Sequence, residues 1–305
     1  GAAWANQRAG KHIISTSIEH PSVYNPLGVL EELGFEVTIL PVDHDGHISL
    51  KELEEAIRPD TILVSTMYVN NEVGAVEPVE EISKIIKAKN PSTLYHVDAI
   101  QAYGKYVIRP KKQGIDLLSV SSHKIHGPKG VGFLYIRNGV KIKPLIYGGG
   151  QQAGMRSGTE NVPGVAGFGA AAKEMYTNHA EKVQKLIELK DYMTDRLGEI
   201  EGTVINSKKG EASAPQIVSV SFEGVRSEVL LHALEDKGVY VSSGSACSSN
   251  HPGISGTLKG IGVAQKLLDS TIRMSFGMFN TKEEVDYTID VLKELVPVLR
   301  RYQRG

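Results

Sequence analysis

Short β-branched runs alternate regularly with helical patterns in the first half of the chain, and this alternation limits the folds that the chain can adopt. TILVSTMYV at 61–69 is a nearly unbroken apolar run, typical of a strand buried on both faces of a parallel sheet. HIISTSIEH at 12–20 and FEVTILPV at 35–42 predict two further strands. Strands that alternate with helices predict an α/β fold with a mostly parallel sheet.

The rest of the first half continues this alternation. Further β-branched runs predict strands at 93–100, 117–124 and 130–137. Helices are predicted at 21–34, ending at Gly34, at 49–57, opened by a capping box of Ser49 and Glu52, and at 79–89.

The second half has a different pattern. The segment 144–165 is rich in Gly and polar residues and is predicted to be loop. One long helix is predicted from about 165 to 200. The segments that follow are predicted strands at 216–224, 239–245 and 271–277, a helix near 227–237, and a last amphipathic helix to about Tyr302 behind a capping box of Thr281 and Glu284. We therefore predict a large domain over 1–170 and a smaller α+β domain over 171–305.

Composition excludes several classes of protein. Of the 305 residues 41% are hydrophobic and 23% charged, as in ordinary globular proteins. The net charge of −1 gives no support to a nucleic-acid or membrane partner, and no apolar run reaches the length of a membrane span. The start, GAAWANQRAG, lacks the pattern of a signal peptide. A single cysteine and no export signal predict a reducing, cytoplasmic location.

Lys124 is a candidate for covalent chemistry. In SVSSHKIHGPKGVG it lies at the C-terminal end of an apolar strand, and ligands of open α/β sheets bind at the carboxyl ends of strands. A partly desolvated lysine there would have a lowered pKa and could form a Schiff base. The alternative is a solvated loop lysine.

Asp98 is a candidate partner for a cationic group. In YHVDAIQAYGK it follows an apolar strand core, and a buried carboxylate needs a cation. The protonated ring nitrogen of pyridoxal phosphate (PLP) is such a cation, and Gln101 could donate to the phenolate oxygen of that cofactor. Asp98 could equally cap a short helix, and the residues by themselves leave both interpretations open.

Two more predicted strands end in polar residues. His20 in IEHPSVYN could stack on an aromatic cofactor ring, or it could simply begin a helix. Asn71 in MYVNNEVG could donate to a ring oxygen, or form a turn. Because His20, Asn71, Asp98 and Lys124 follow different predicted strands, we expect them to converge on one ligand site.

Cys247 is the single cysteine of the chain and lies in VYVSSGSACSSN. It cannot form an internal disulfide or a cysteine-rich metal site, and no metal is predicted. A free cysteine is more often a buried filler than a reactive group. The polar residues around Cys247 favour the reactive interpretation.

The motifs HVDAIQ, SSHKIHGPKGVG, GMRSGTEN and SSGSACSS together resemble the cysteine desulfurases of the NifS/IscS type. These enzymes belong to the class V aminotransferase branch of the fold-type I PLP-dependent enzymes. The resemblance runs along essentially the whole chain. It implies a PLP-binding large domain with a mostly parallel sheet, a smaller α+β C-terminal domain, and a homodimer.

The resemblance also implies a role for each candidate residue. The implied PLP contacts are Lys124 (covalent), Asp98 (ring nitrogen), Gln101 (phenolate oxygen), His20 (stacking and proton transfer), Asn71 (cofactor or substrate), and Ser121 and His123 (phosphate). Thr159 would reach the phosphate of the neighbouring subunit. Arg273 would bind the substrate carboxylate, which suits its planar fork.

The implied reaction converts L-cysteine to L-alanine, with Cys247 as the nucleophile that takes the sulfur as a persulfide. The sulfur would pass to an acceptor protein, either an iron–sulfur scaffold or a tRNA-thiolation enzyme. Because a Ser/Gly-rich segment is flexible, we predict that 246–258 is mobile and that 248–260 is loop.

Two departures from the family pattern affect the prediction. Family members have a segment before the position of Gly1, with a loop at a helix N-terminus that contacts the PLP phosphate, so we expect this chain to be a fragment. Met278 stands where an Arg is common, and we expect a modest effect because Arg273 is retained.

Three alternatives stay open. A selenocysteine lyase could act without Cys247, and a class V aminotransferase would not need it. A truncated, catalytically silent scaffold would show no absorbance from bound PLP.

Overall fold

The computed structural model describes residues 1–243 and 255–302, and the packing of the chain divides it into two units. The first unit comprises 1–41, 48–69 and 77–177. The second comprises 42–47, 70–76 and the chain from Asn178 onward.

The first unit contains a six-stranded sheet in the order β2-β1-β3-β4-β5-β6. Its strands are β1 (His12–Thr16), β2 (Glu36–Leu40), β3 (Thr61–Met67), β4 (Leu94–Asp98), β5 (Leu117–Ser121) and β6 (Gly132–Ile136). Neighbouring strands are parallel except β5 and β6, which are antiparallel. The predicted α/β fold with a mostly parallel sheet is confirmed. β3 is buried at every position, as its unbroken apolar run predicts.

The helices of the first unit are α1 (Ala2–Asn6), α2 (Pro21–Glu32), α3 (Leu50–Ala56), α4 (Val79–Lys89) and α5 (Val162–Tyr176). The ends of α2, α3 and α4 lie within two residues of the ends that the sequence predicts for them. The hydroxyl of Ser49 accepts from Glu52 N (3.2 Å) at the start of α3. Gly34 has a φ of 80° just after α2, a conformation that glycine adopts without strain.

The second unit contains a four-stranded antiparallel sheet in the order β7-β8-β10-β9. Its elements are α6 (His179–Leu197), β7 (Thr203–Ile205), β8 (Ile217–Phe222), α7 (Ser227–Glu235), β9 (Ser242–Ser243), α8 (Gly256–Gly260), β10 (Thr271–Ser275) and α9 (Lys282–Tyr302). Thr281 and Glu284 form the predicted capping box, each donating a main-chain N–H to the side chain of the other.

The prediction of one helix from about 165 to 200 is wrong. α5 ends at Tyr176 and α6 begins at His179, with Asn178 between them at a φ of 52°. The sequence there has no Pro or Gly to mark the break. Asn tolerates a left-handed conformation better than most residues, so the chain turns there at low cost.

Other differences lie in the second unit. No sequence pattern predicts β7. The segment 248–260 is predicted to be loop, but Gly256–Gly260 forms α8. β9 has only two residues, and the rest of that predicted strand, 244–245, lies outside the described residues. No helix in the described part of the chain is both long and apolar enough to cross a membrane.

The Ile/Val/Ser alternation of β8 does not mark an exposed face. All six residues are buried, and the serines find partners inside the sheet. The Ser221 hydroxyl lies 2.7 Å from the Thr271 hydroxyl and accepts from the Asn206 amide. Hydrogen bonds of this kind allow polar side chains to be buried at small cost.

Candidate active site

Two groups of predicted site residues lie at the carboxyl ends of the adjacent strands β4 and β5. Asp98 is the last residue of β4 and is paired with Ser119 of β5. β5 ends at Ser121, and a 3₁₀ turn, Ser122–Ile125, follows it. Lys124 therefore lies in this turn and not, as predicted, at the end of the strand itself.

Asp98 is buried, with 5% of its surface exposed. Its carboxylate accepts a hydrogen bond from Ile100 N (3.0 Å). The residues after Asp98 form turns and not the short helix that it was alternatively predicted to cap. Burial raises the pKa of Asp98 above its usual value. No cationic side chain of the described residues lowers the pKa of Asp98. A carboxylate in such surroundings suits a cationic hydrogen-bond donor such as a protonated ring nitrogen.

Ser121 and His123 form a polar pair beside Lys124. The Ser121 Oγ atom lies 2.7 Å from His123 Nδ1. Partial burial lowers the pKa of His123, and the positive charges of Lys124 and Lys129 lower it further. This corner is therefore electropositive, which suits an anion such as a phosphate group.

The buried lysine of this region is Lys105 and not Lys124. The Lys124 side chain is exposed, so the prediction that it is partly desolvated is wrong. Lys105 is 8% exposed, and its ammonium donates to the main-chain carbonyl oxygen of Lys124 (2.8 Å). The sequence analysis missed Lys105, because the residues around it in AYGKY carry no pattern that distinguishes a buried lysine from an exposed one.

His20 lies at the start of α2, beyond the end of β1 at Thr16. Its Nδ1 atom accepts from Ser22 N (3.1 Å) and lies 2.8 Å from the Ser22 hydroxyl. Because a main-chain N–H can only donate, Nδ1 must be unprotonated, and the neutral ring carries its proton on Nε2. His20 therefore begins α2, as the alternative interpretation of this residue predicts, and stacking on a cofactor stays a prediction.

Glu19, next to His20, is a second residue that the sequence analysis missed. Its Oε1 atom accepts from the Thr16 hydroxyl and from Met67 N, both at 2.8 Å. Burial raises the pKa of Glu19 to about 8, and the negative charges of Asp98 and Glu77 add to the rise. Glu19 is therefore mostly a neutral acid at pH 7.

For Gln101 and Thr159 the structure gives the exposure of the residue and its place in the fold. Gln101 is half-buried in the turn after Asp98. Thr159 is exposed, two residues before Asn161, which caps α5 by accepting from Gly164 N. The structure thus groups Asp98, Gln101 and the Ser121–Lys124 segment near the ends of β4 and β5.

The second unit holds Asn71 and Arg273. The guanidinium of Arg273, on β10, donates to the main-chain oxygen of Asn71 (2.7 Å) and to the Ser242 hydroxyl (3.3 Å). Asn70 forms the turn there, because its side-chain oxygen accepts from the main-chain N–H groups of Glu72 and Val73.

Ser255 contacts the same turn. Its hydroxyl donates to Glu72 Oε2 (2.5 Å) and accepts from Leu258 N (3.1 Å), so it also caps α8. Cys247 lies within 244–254, outside the described residues, and its role stays a prediction. The predicted mobile segment 246–258 lies outside them as far as residue 254, and from 255 it is largely buried and enters α8.

Comparisons with known proteins identify what the chain is similar to. Residues 1–288 match the family model described as aminotransferase class V. The chain is 43% identical to a cysteine desulfurase IscS of Dictyoglomus turgidum, over 98% of this chain and 76% of that protein. It is 45% identical to a cysteine desulfurase IscS of Methanosarcina thermophila, over 98% of this chain and 74% of that protein.

A solved structure shows the same relationship. A NifS-like protein superposes with a TM-score of 0.91 at 40% identity, over 98% of this chain and 78% of that one. Among the described residues, no group of three or more His, Cys, Asp or Glu side chains could hold a metal ion.

Proposed function

This chain belongs to the class V aminotransferase family and to its cysteine desulfurases, and from that premise we propose that it is a PLP-dependent enzyme that converts L-cysteine to L-alanine. The observation that carries the cofactor assignment is the buried carboxylate of Asp98, placed beside the turn that holds Lys124. When it is bound, PLP supplies an electron sink for the bonds at the substrate α-carbon.

The residues of the first unit fit the two charged ends of that cofactor. Asp98 would accept a hydrogen bond from the ring nitrogen, whose positive charge offsets the cost of burying the carboxylate. Ser121 and His123, in their electropositive corner, would bind the phosphate. Lys124, exposed in the 3₁₀ turn, would hold the cofactor covalently.

Two further residues would orient the ring and move protons. Gln101 would donate from its amide to the phenolate oxygen. His20 would stack on the ring and carry a proton on Nε2, because Nδ1 is held as an acceptor by Ser22.

Substrate recognition would rest on Arg273, with Asn71 beside it. The contacts of Arg273 with the Asn71 carbonyl and the Ser242 hydroxyl hold the guanidinium in one orientation. A planar fork held in this way suits the carboxylate of an amino acid.

Cys247 would take the sulfur. Its thiolate forms an S–S bond with the substrate sulfur while the C–S bond of the substrate breaks. The electron pair of that bond and a proton go to the substrate carbon, which leaves as alanine. The products are alanine and a persulfide on Cys247.

We also propose a homodimer, in which Thr159 reaches the phosphate of the neighbouring subunit. The sulfur acceptor would be a scaffold protein for iron–sulfur clusters or a tRNA-thiolation enzyme. A thiol nucleophile works in a reducing compartment, which favours the cytoplasm.

The test uses the full chain loaded with PLP. We expect visible absorbance from the bound cofactor, and sulfide and alanine in equal amounts when cysteine and a thiol reductant are added. Cys247→Ser should keep the absorbance and lose sulfide release, because only the nucleophile is removed. Sulfide release that survives in Cys247→Ser would contradict the desulfurase mechanism and favour a lyase.

A further inference from the structure

Lys105 is a buried lysine whose position is set by the chain around it. Gly104, just before it, has a φ of 83°, and a Cβ atom there would lie 2.8 Å from the Ile125 side chain. Gly104 N donates to the Tyr176 hydroxyl (3.0 Å), which in turn donates to the Tyr106 carbonyl oxygen (3.1 Å). The main chain on both sides of Lys105 is therefore held in place.

The Lys105 side chain ends on the turn that carries Lys124. Its Nζ atom lies 2.8 Å from the carbonyl oxygen of Lys124, within the 3₁₀ turn Ser122–Ile125. The chain then reverses at His126, which has a φ of 63°. The last carbonyls of a helical turn lack partners inside the turn, and lysine side chains commonly donate to them.

The charge of Lys105 acts on its neighbours. Burial lowers the pKa of Lys105 to about 8, and the charge of Lys124 contributes to that fall. Burial lowers the pKa of His126, and the charge of Lys105 lowers it further. Within the described residues no carboxylate affects the pKa of Lys105, and the titratable groups that interact with it are Lys124 and His126. Like charges at short distance favour the neutral form of an amine.

We propose that Lys105 is a positioning residue for Lys124: it fixes the turn through the hydrogen bond and keeps the Lys124 amine reactive toward PLP through its own positive charge. The inference rests on the proposed function. An amine reacts with the PLP aldehyde in its neutral form, and a C=N bond forms while one water leaves. Lys105 takes no part in that bond and acts through Lys124.

The test is a pH titration of the visible absorbance of the PLP-loaded chain without cysteine. Removing the charge in Lys105→Met should raise the titration midpoint by about one pH unit, because the nearby cation no longer opposes protonation. Capture of added PLP at pH 7 should slow by about tenfold for the same reason. Lys105→Arg, which keeps a cation, should shift the midpoint by less than about a third of a unit.

Two further variants separate charge from structure. Lys105→Gln keeps a hydrogen-bond donor without the charge and should shift the midpoint as Lys105→Met does, so it decides the question if Lys105→Met fails to fold. Lys111→Met removes an exposed lysine from the next turn and should leave the midpoint unchanged. An unshifted midpoint in Lys105→Gln, with only a lower melting temperature, would overturn the inference. If the parent chain itself shows no PLP absorbance, the proposed function fails and the inference fails with it.

Discussion

At the scale of single residues, burial near the carboxyl ends of the first-unit strands favours neutral groups. Glu19 and Asp98 have raised pKa values, and Lys105 has a lowered one, and in each case burial is the main cause. These residues are therefore sensitive to added charge. A cation bound beside Asp98 should lower the pKa of that carboxyl group. The protonation state of Glu19 should depend mainly on pH.

The raised pKa of Glu19 predicts that the stability of the folded chain depends on pH. Its pKa is about 8 in the folded chain and 4.5 ordinarily, so the folded state binds the proton more tightly. The stability that this contributes is complete below about pH 4.5 and is lost as the pH rises through about 8. Between pH 5 and pH 8 we expect the free energy of unfolding to fall by about 4 kcal/mol.

Urea denaturation across that pH range measures the effect. Glu19→Gln keeps an oxygen that can accept from Thr16 and Met67 but does not titrate, so its unfolding free energy should vary less with pH. Glu31→Gln, on the exposed face of α2, should behave as the parent does. Equal pH dependence in the parent and in Glu19→Gln would show that Glu19 is not the titrating group.

At the scale of secondary-structure elements, single side chains begin several helices. Ser49 caps α3 and Ser255 caps α8, each by accepting from a main-chain N–H. Ser255 has a second role, because its hydroxyl also donates to the buried Glu72 carboxylate. A short helix that packs in this way depends more on one side chain than a longer helix does.

Ser255→Ala should cost more stability than Ser49→Ala. The loss of a cap alone costs about 1 kcal/mol, which is the expectation for Ser49→Ala. Ser255→Ala also removes a hydrogen bond from a buried carboxylate, so we expect about 2–4 kcal/mol. Chemical denaturation of both variants measures the difference, and equal costs would show that the hydroxyl bond to Glu72 contributes nothing.

At the scale of the whole molecule, each unit has its own apolar core. In the second unit α6, α7 and α9 pack with β8 and β10, and every described residue of that core belongs to the second unit. In the first unit, one cluster joins residues of α1, α2 and strands of the parallel sheet. We keep as a proposal that these units are the PLP-binding domain and the small domain.

Phe222→Ala tests the core of the second unit. The side chain is fully buried on β8, and removing it should cost about 3–5 kcal/mol. Hydrogen exchange should show the loss of protection first in β8 and β10, and to a smaller extent in β3 and β4. Tyr302→Ala, at the exposed end of α9, should change stability by less than about 0.5 kcal/mol. Equal loss of protection in all four strands would contradict a separate core.

Much of this organisation could be predicted from the sequence. The unbroken apolar run of β3, the capping boxes, and Gly34 after α2 are local signals, and each element begins or ends near its signal. The parallel sheet follows from the alternation of strands and helices. The motifs around Asp98, Lys124 and Cys247 identified the family, because they combine several specific residues at short spacing.

The packing of the chain in three dimensions determines which polar groups are buried and what they contact. It buried Lys105 and exposed Lys124, broke the long helix at Asn178, and joined Arg273 to the carbonyl of Asn71, a residue distant in the sequence. The physical reason is that a turn or a cap is determined by a few neighbouring residues, whereas the environment of a charged side chain is determined by whatever elements pack against it. Propensity and pattern describe the first, and the second depends on contacts between segments far apart in the chain.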